Sequence, residues 1–172
     1  MQKSLYKAYC DYFGKKTAIT FKTLEYYDMI SYTVLLQEDD VNIDVDIHVG
    51  ETIDVEDDDE PEICEYALIR EIFTHIANDE KKYAFLILDW YYNTGRTDNF
   101  TGSKIYKLQE SDDISWPHIH SFHIVDRISR VHFVHNCKTN CDAHDHTLSN
   151  NSEYLLNEFF YMVVSIFLLL NL

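Results

Sequence analysis

Apolar and polar residues alternate without interruption from residue 42 to residue 49. Successive side chains of a strand point to opposite faces, so this period predicts a strand with one buried face and one acidic solvent face. Gly50 then ends or bulges the strand. The apolar members of the period are Ile43, Val45, Ile47 and Val49, and the polar members are Asn42, Asp44, Asp46 and His48.

The segments that precede this strand predict one helix and further strands. Residues 5–13 predict a short helix, because their apolar residues fall at helical spacing and Gly14 follows them. Residues 18–21 predict a strand. Residues 24–37 are rich in β-branched and aromatic residues, which favours one or two more strands.

The second half of the chain contains a predicted hairpin. Residues 83–92 form an apolar run typical of a central strand, and residues 66–76 before it fit either a strand or a helix. Short strands are expected at 104–108 and within 122–135, and residues 154–166 again fit either element. Many short strands separated by turn signals predict an all-β barrel or sandwich with a few helical turns.

Two segments between these elements predict loops. Residues 93–103 contain Asn, Asp and Gly at several positions, as turns do. Residues 110–121 contain Pro117, which lacks the amide hydrogen that a regular strand ladder needs.

Acidic residues are concentrated in one part of the chain. The net charge at pH 7 is −16 over 172 residues, and the segment 38–62 holds 13 acidic residues and neither Lys nor Arg. Such a field repels nucleic-acid phosphate and attracts basic partners. Direct contact with nucleic acid is therefore not expected, whereas a Lys/Arg-rich partner is.

The two ends of the sequence indicate where in the cell the protein is expected. The first residues are polar and charged where a secretory signal would be apolar, so the four cysteines are expected to be reduced. The apolar run 159–170 is 12 residues long, too short to span a bilayer as a helix. We therefore expect no membrane partner and an intracellular location.

Six segments, in this order, resemble the bromo-adjacent homology (BAH) domain family. The resemblance covers roughly residues 42–164, and it departs from the family where Asn93 and Thr94 replace an Arg-Pro pair. The similar segments are IHVGETIDV, EYALIREIF, LDWYYNTG, KIYKLQESDDISWPHI, FHIVDRISRVHFV and EYLLNEFFY.

The resemblance implies a mainly β fold, a distorted mixed β-barrel of the BAH type with a few short helices. It divides the chain into an N-terminal flank, 1–22, a BAH-like domain, 23–164, and an apolar C-terminal tail, 165–172. It also implies a non-enzymatic, nuclear chromatin reader without a cofactor. Its partners would be a basic histone tail or nucleosome, with methyl-lysine as a candidate ligand, and other chromatin-associated proteins.

The family's methyl-lysine readers use a Trp-x-Tyr strand for two walls of an aromatic cage, and that motif falls on Trp90 and Tyr92. Aromatic faces attract a methylated ammonium through their quadrupole. The third wall is left open: the alignment places Glu65 there, with Tyr66 one residue later. Because one step along a strand changes the face, Tyr66 completes the cage only if it is in phase.

Acidic residues complete the site that the resemblance implies. A carboxylate from Glu65 would favour a lower methylation state or an unmodified lysine through direct pairing. Asp112 and Asp113 match an acidic loop that flanks the bound peptide in the family, so they are expected to contact a basic tail.

The alternative function is a zinc-binding or metal-dependent protein that uses the His/Cys-rich segment 118–146. Four residues there could coordinate zinc tetrahedrally, although structural sites normally combine two separated pairs. Metal analysis of the purified protein distinguishes the two functions. The four candidate ligands are Cys137, Cys141, His144 and His146.

Overall fold

The computed structural model shows a mainly β protein with one helix among the residues that it describes. Eight strands form a sheet curled into a half-barrel, and two more form a separate ribbon. The described residues are 2–13, 23–36, 41–56, 64–109, 118–125, 131–136 and 153–157.

The elements are numbered along the chain. The helix α1 is Gln2–Phe13, and a 3-10 turn spans Phe122–Ile124. The strands are β1 Leu24–Tyr27, β2 Met29–Leu36, β3 Val41–His48, β4 Thr52–Glu56, β5 Cys64–Ile76, β6 Lys82–Thr97, β7 Lys104–Leu108, β8 Ile119–Ser121, β9 Phe133–His135 and β10 Glu153–Leu156.

The long antiparallel strands β5 and β6 form the centre of the sheet. The edge of β5 away from β6 pairs with β1 and β4. The edge of β6 away from β5 pairs with β8 and β7, and the sheet continues from β7 to β10 and then to β9. The β5–β6 register shifts between Ile69 and Glu71, which makes Arg70 an extra residue in β5. A β-bulge of this kind bends and twists its strand, and so contributes to the curl of the sheet.

The core lies on both faces of this sheet. One face, here called the ribbon side, carries Leu86, Leu88 and Trp90 of β6, and Ile47 of the β2–β3 ribbon belongs to the same cluster. The opposite face, here called the helix side, has α1 packed over one end of β5 and β6. At its other end an aromatic cluster includes Tyr91. Successive residues of β6 therefore belong to clusters on opposite faces, as the strand geometry requires.

Several predictions from the sequence are confirmed. The helix at 5–13 is present as α1, and the alternating segment forms β3 with Asp44 and Asp46 exposed and Ile47 buried. Residues 66–76, which fitted either element, belong to strand β5. The central apolar run is β6, and residues 104–108 form β7.

Both predicted loops contain strand residues that the sequence did not indicate. β6 continues to Thr97, held by pairing of Asn93 and Thr97 with β7 across a register shift. Residues 119–121 form β8 and pair with β6 beyond Pro117. In the segment 122–135, where strand structure is expected, the described residues form the 3-10 turn, which Ser121 caps through its hydroxyl, and the strand β9.

The expected strand at 18–21 lies outside the described residues, and so does the part of 154–166 that follows residue 157. In the described ranges, α1 is too short and too polar to be a membrane-crossing helix.

Candidate functional site

Strand β6 places Trp90 and Tyr92 on the ribbon side of the sheet, with Tyr91 between them on the helix side. Trp90 is directly opposite Ala67 of β5, and Tyr92 is directly opposite Lys107 of β7. The shared face predicted for Trp90 and Tyr92 follows from this register.

Burial separates the two aromatic residues. Trp90 is 8% exposed and belongs to the ribbon-side core, with its ring in an edge contact to His120 at a centroid distance of 5.3 Å. Tyr92 is 46% exposed. Tyr92 is therefore the member of the pair that a ligand can reach, and Trp90 supports the strand from within the core.

Tyr66 lies on the opposite face of the sheet from Trp90. Its direct cross-strand partner is Tyr91, and its ring makes edge contacts with Tyr106 and Phe133 at centroid distances of 5.6 and 5.5 Å. These contacts place Tyr66 in the aromatic cluster of the helix side. The structure does not bring Tyr66 together with Trp90 and Tyr92, because it is one residue out of phase.

Glu65, and not Tyr66, lies on the face of the sheet that carries Trp90 and Tyr92. It is directly opposite Val55 of β4 and two residues before Ala67, so it lies on the ribbon side of the sheet with Trp90 and Tyr92. Glu65 is partly exposed. Of the predicted ligand-binding residues, this face therefore presents one accessible aromatic ring and one carboxylate.

Burial also shapes the chemistry of Tyr91. Loss of water around its phenol raises the pKa of Tyr91 to about 12, and a hydrogen bond from Thr52 offsets part of this rise. The ring stacks on Phe133 at a centroid distance of 4.2 Å. Tyr91 thus remains neutral at physiological pH and acts in packing.

The outer face of the β2–β3 ribbon is acidic and solvent-exposed. Asp44 and Asp46 of β3 stand opposite Thr33 and Ser31 of β2, and the Thr33 hydroxyl donates a hydrogen bond of 2.8 Å to Asp44. Neither strand contains Lys or Arg. The two carboxylates therefore have no Lys or Arg neighbour within their own ribbon.

Exposed apolar side chains occupy the same outer face of the ribbon. Met29 is 45% exposed and Leu35 is 49% exposed, at opposite ends of β2. This face combines negative charge with apolar contact area, a combination that suits a basic segment with some apolar side chains.

A cleft of about 450 Å³ opens beside the ribbon, and no pattern in the sequence predicts it. It lies between one stretch of β2 and the 3-10 turn, which are far apart in the chain. No single motif could reveal it, because only folding brings its two walls together. Its lining residues are Tyr32, Thr33, Val34, Leu35, Phe122, His123 and Val125.

A partly buried ion pair joins the two central strands. Arg70 donates a hydrogen bond through Nε to Asp89, whose residue is 2% exposed. The other carboxylate oxygen of Asp89 is buried and has no hydrogen-bond partner in the described part of the chain. Since Asp89 lies within β6 between buried neighbours, this pair is a structural feature of the sheet.

The remaining predicted site residues lie outside the described residues. Within the described ranges, no group of three or more His, Cys, Asp or Glu side chains is arranged to hold a metal ion. The zinc alternative thus stays a prediction. The residues concerned are Asp112, Asp113, Cys137, Cys141, His144 and His146.

Comparison with family models, curated proteins and solved structures finds no match to this chain.

Proposed function

We propose that this chain is a non-enzymatic, BAH-like binding module that recognises a basic histone tail in chromatin. The observation that carries the proposal is the outer face of the β2–β3 ribbon, where Asp44 and Asp46 are exposed and neither of the two strands carries Lys or Arg. The net charge of −16 gives the whole molecule the same preference for a basic partner. The proposed location is the nucleus, where such partners are abundant.

Electrostatics alone would give a modest affinity. An exposed carboxylate–ammonium pair contributes about 0.2–1 kcal/mol and weakens as salt rises. The acidic face therefore acts mainly by attracting the tail and speeding its encounter. Contacts with Met29 and Leu35 on the same face would add apolar area that salt does not screen.

A lysine of the tail would contact Tyr92 rather than enter a complete three-walled cage. The exposed Tyr92 ring offers a cation–π contact of about 0.5–1 kcal/mol. Glu65 on the same face offers a carboxylate, which pairs best with an ammonium that keeps its hydrogens. We therefore propose that the module prefers unmodified or monomethylated lysine to trimethyllysine.

The test is a titration of histone-tail peptides against the wild type and two double variants of equal charge. Asp44→Asn/Asp46→Asn should weaken binding roughly 2- to 30-fold, from the loss of two exposed pairs. The matched control, Asp11→Asn/Glu71→Gln, removes two exposed carboxylates elsewhere. It should change the affinity much less. Equal effects of the two double variants, or no binding of any histone peptide to the wild type, would contradict the proposal.

A further inference from the structure

The hairpin of β6 and β7 projects beyond the strands on either side of it. β5 pairs with β6 no further than Tyr91, and β10 pairs with β7 no further than Ile105. In the described part of the chain, residues 94–104 therefore form a projection that has no third strand beside it. We call these residues the β6–β7 arm.

Hydrogen bonds fix the tip of the β6–β7 arm. The carbonyl of Asp98 accepts from the amide of Gly102 at 2.9 Å, and the Asp98 amide donates to the carbonyl of Ser103 at 2.9 Å. The Asp98 carboxylate accepts from the amides of Phe100 and Thr101 at 3.0 and 2.8 Å. Gly102 completes the turn with a φ of 74°, which a residue with a side chain rarely adopts. Because the tip is preorganised, its docking orders little additional chain.

The tip presents an apolar ring to solvent. Phe100 is 97% exposed, so its ring contacts almost nothing in its own chain. A single exposed apolar side chain is common on protein surfaces. This one, however, is held by a rigid turn at the end of a projecting arm, where it can enter a surface on another molecule as an aromatic anchor.

The β6–β7 arm is basic in an acidic molecule. It carries Arg96 and Lys104, both exposed, and one acidic residue, Asp98, whose carboxylate binds the amides of the turn. Arg96 pairs with Glu153 of β10, and no carboxylate in the described ranges forms an ion pair with Lys104. The arm thus combines an apolar ring with positive charge, which suits an acidic surface that also has apolar side chains.

The outer face of the β2–β3 ribbon has that complementary composition. The β2–β3 register places Asp44 and Asp46 in the middle of this face, with Met29 and Leu35 at its two ends. Leu35 is two residues from Thr33, which stands opposite Asp44. The four side chains at the middle and the ends are exposed, so their own chain leaves the face uncovered.

We propose that the β6–β7 arm of one copy docks on the outer face of the β2–β3 ribbon of a second copy. Phe100 packs on the Leu35 end of that face, and the cations of the arm face Asp44 and Asp46. The contact joins two different patches, so it extends into a chain of copies or closes into a ring. This docking site coincides with the face of the proposed function, but self-association does not depend on histone binding.

The contact between copies is expected to be weak. One ring and two charge pairs bury less area than a stable dimer needs. The net charge of −16 also makes two copies repel each other, although physiological salt screens this repulsion beyond about 8 Å. We therefore expect a dissociation constant of roughly 10–500 µM.

The first test is sedimentation velocity of the whole chain over a series of concentrations. The average mass of the wild type should rise with concentration. Phe100→Ser removes the ring and should weaken the association roughly tenfold or more, whereas Phe100→Leu keeps an apolar contact and should weaken it less. Because the ring is exposed, neither variant should change the thermal stability. A wild type that stays monomeric up to about 1 mM, or equal association of wild type and Phe100→Ser, overturns the proposal.

The second test reverses the charge of the ribbon. Asp44→Lys/Asp46→Lys should abolish self-association, although it lowers the net negative charge and with it the general repulsion between copies. The matched control, Asp11→Lys/Glu71→Lys, makes the same change of charge at exposed positions of α1 and β5, outside both docking patches. It should associate at least as well as the wild type. Equal loss of association in the two double variants overturns the proposal.

The third test mixes two variants that are each defective in one patch. Phe100→Ser keeps an intact ribbon, and Asp44→Lys/Asp46→Lys keeps an intact arm. An equimolar mixture should therefore form dimers through one intact contact, although neither variant associates alone. A mixture that stays monomeric at concentrations where the wild type associates excludes docking of the arm on the ribbon.

Self-association and histone binding fail independently in these experiments. A wild type that binds histone peptides but stays monomeric leaves the proposed function standing and removes the docking of the arm. Dimers in the mixture of the two defective variants, without binding of any histone peptide, do the reverse. A monomeric wild type that sediments with vesicles of phosphatidylcholine and phosphatidylserine, and loses this binding in Phe100→Ser, would identify an anionic membrane as the partner of the arm and overturn the proposal.

Discussion

Trp90 and Tyr92 share one face of β6, yet their side chains occupy different environments. Trp90 is 8% exposed within the ribbon-side core, and Tyr92 is 46% exposed. The first residue therefore stabilises the sheet, and the second is available to a ligand. This division changes what their variants are expected to do.

Trp90→Ala should destabilise the fold. Removing a buried tryptophan leaves a cavity and costs about 3–5 kcal/mol in the free energy of unfolding. Chemical denaturation measures this loss, and the milder Trp90→Phe should show a smaller one. A Trp90→Ala protein as stable as the wild type would contradict the burial of the indole.

Tyr92→Ala should change binding rather than stability. Its free energy of unfolding should stay within about 0.5 kcal/mol of the wild-type value, as is usual for exposed positions. Affinity for a lysine-containing histone peptide should fall roughly 2- to 5-fold, from the loss of one exposed cation–π contact. Tyr92→Phe keeps the aromatic face and is the matched control. If Tyr92→Phe loses as much affinity as Tyr92→Ala, the result contradicts a contact with the aromatic ring.

Tyr91 should make the fold sensitive to alkaline pH. Its pKa is raised from 10.0 to about 12 by burial, so its neutral form favours the folded state. This contribution is complete below pH 10, where the phenol is also neutral in the unfolded chain. It is lost as the pH rises towards 12, by roughly 1–3 kcal/mol. Between pH 9 and pH 12, the free energy of unfolding should therefore fall more steeply for the wild type than for Tyr91→Phe. Parallel curves for the two proteins would contradict a contribution of the neutral Tyr91 phenol to stability.

The Arg70–Asp89 pair should show strong coupling. Arg70→Met leaves the buried Asp89 carboxylate without its cation, which costs about 3–5 kcal/mol. Arg70→Met/Asp89→Leu removes both charges and should recover most of that loss. A double-mutant cycle of unfolding free energies measures the coupling. Additive effects of the two substitutions would show that the two groups do not interact.

The docking of α1 should depend on one buried hydrogen bond. The Tyr9 hydroxyl lies 2.7 Å from Nδ1 of His75, and both residues are buried. Tyr9→Phe should cost about 1–3 kcal/mol, because a buried polar group loses a partner. Tyr6 lies on the exposed side of the same helix, so Tyr6→Phe should lower the free energy of unfolding by less than about 0.5 kcal/mol. Equal stabilities of the two variants would exclude the Tyr9 bond as a significant contribution.

Local pattern was enough to predict the elements whose burial follows a simple period. The alternation around Asp44 and Asp46 predicted β3 and its exposed acidic face, and the apolar run ending at Trp90 predicted β6. The short strand β8 was not predicted, because Pro117 beside it argued for a loop and its pairing with β6 is long-range. The extension of β6 to Thr97 was not predicted either, because pairing with β7 outweighs the local turn signals there.

The candidate site was only partly predictable. The period of a strand correctly placed Trp90 and Tyr92 on one face, but it carries no information on which of them other segments cover. The sequence does not determine the phase of Tyr66, and the β5–β6 register places this residue on the opposite face from Trp90. The cleft between β2 and the 3-10 turn required the fold, because its walls come from distant parts of the chain.

Binding of a basic partner by the acidic ribbon is tested most directly by the change in amide NMR resonances when a basic histone-tail peptide is titrated into the protein. The shifts should be concentrated in β2 and β3, around Asp44 and Asp46, and near Tyr92, with little change in α1. Shifts confined to α1 and the sheet beneath it, or no shifts with any histone peptide, would contradict the claim that the acidic ribbon binds a basic partner.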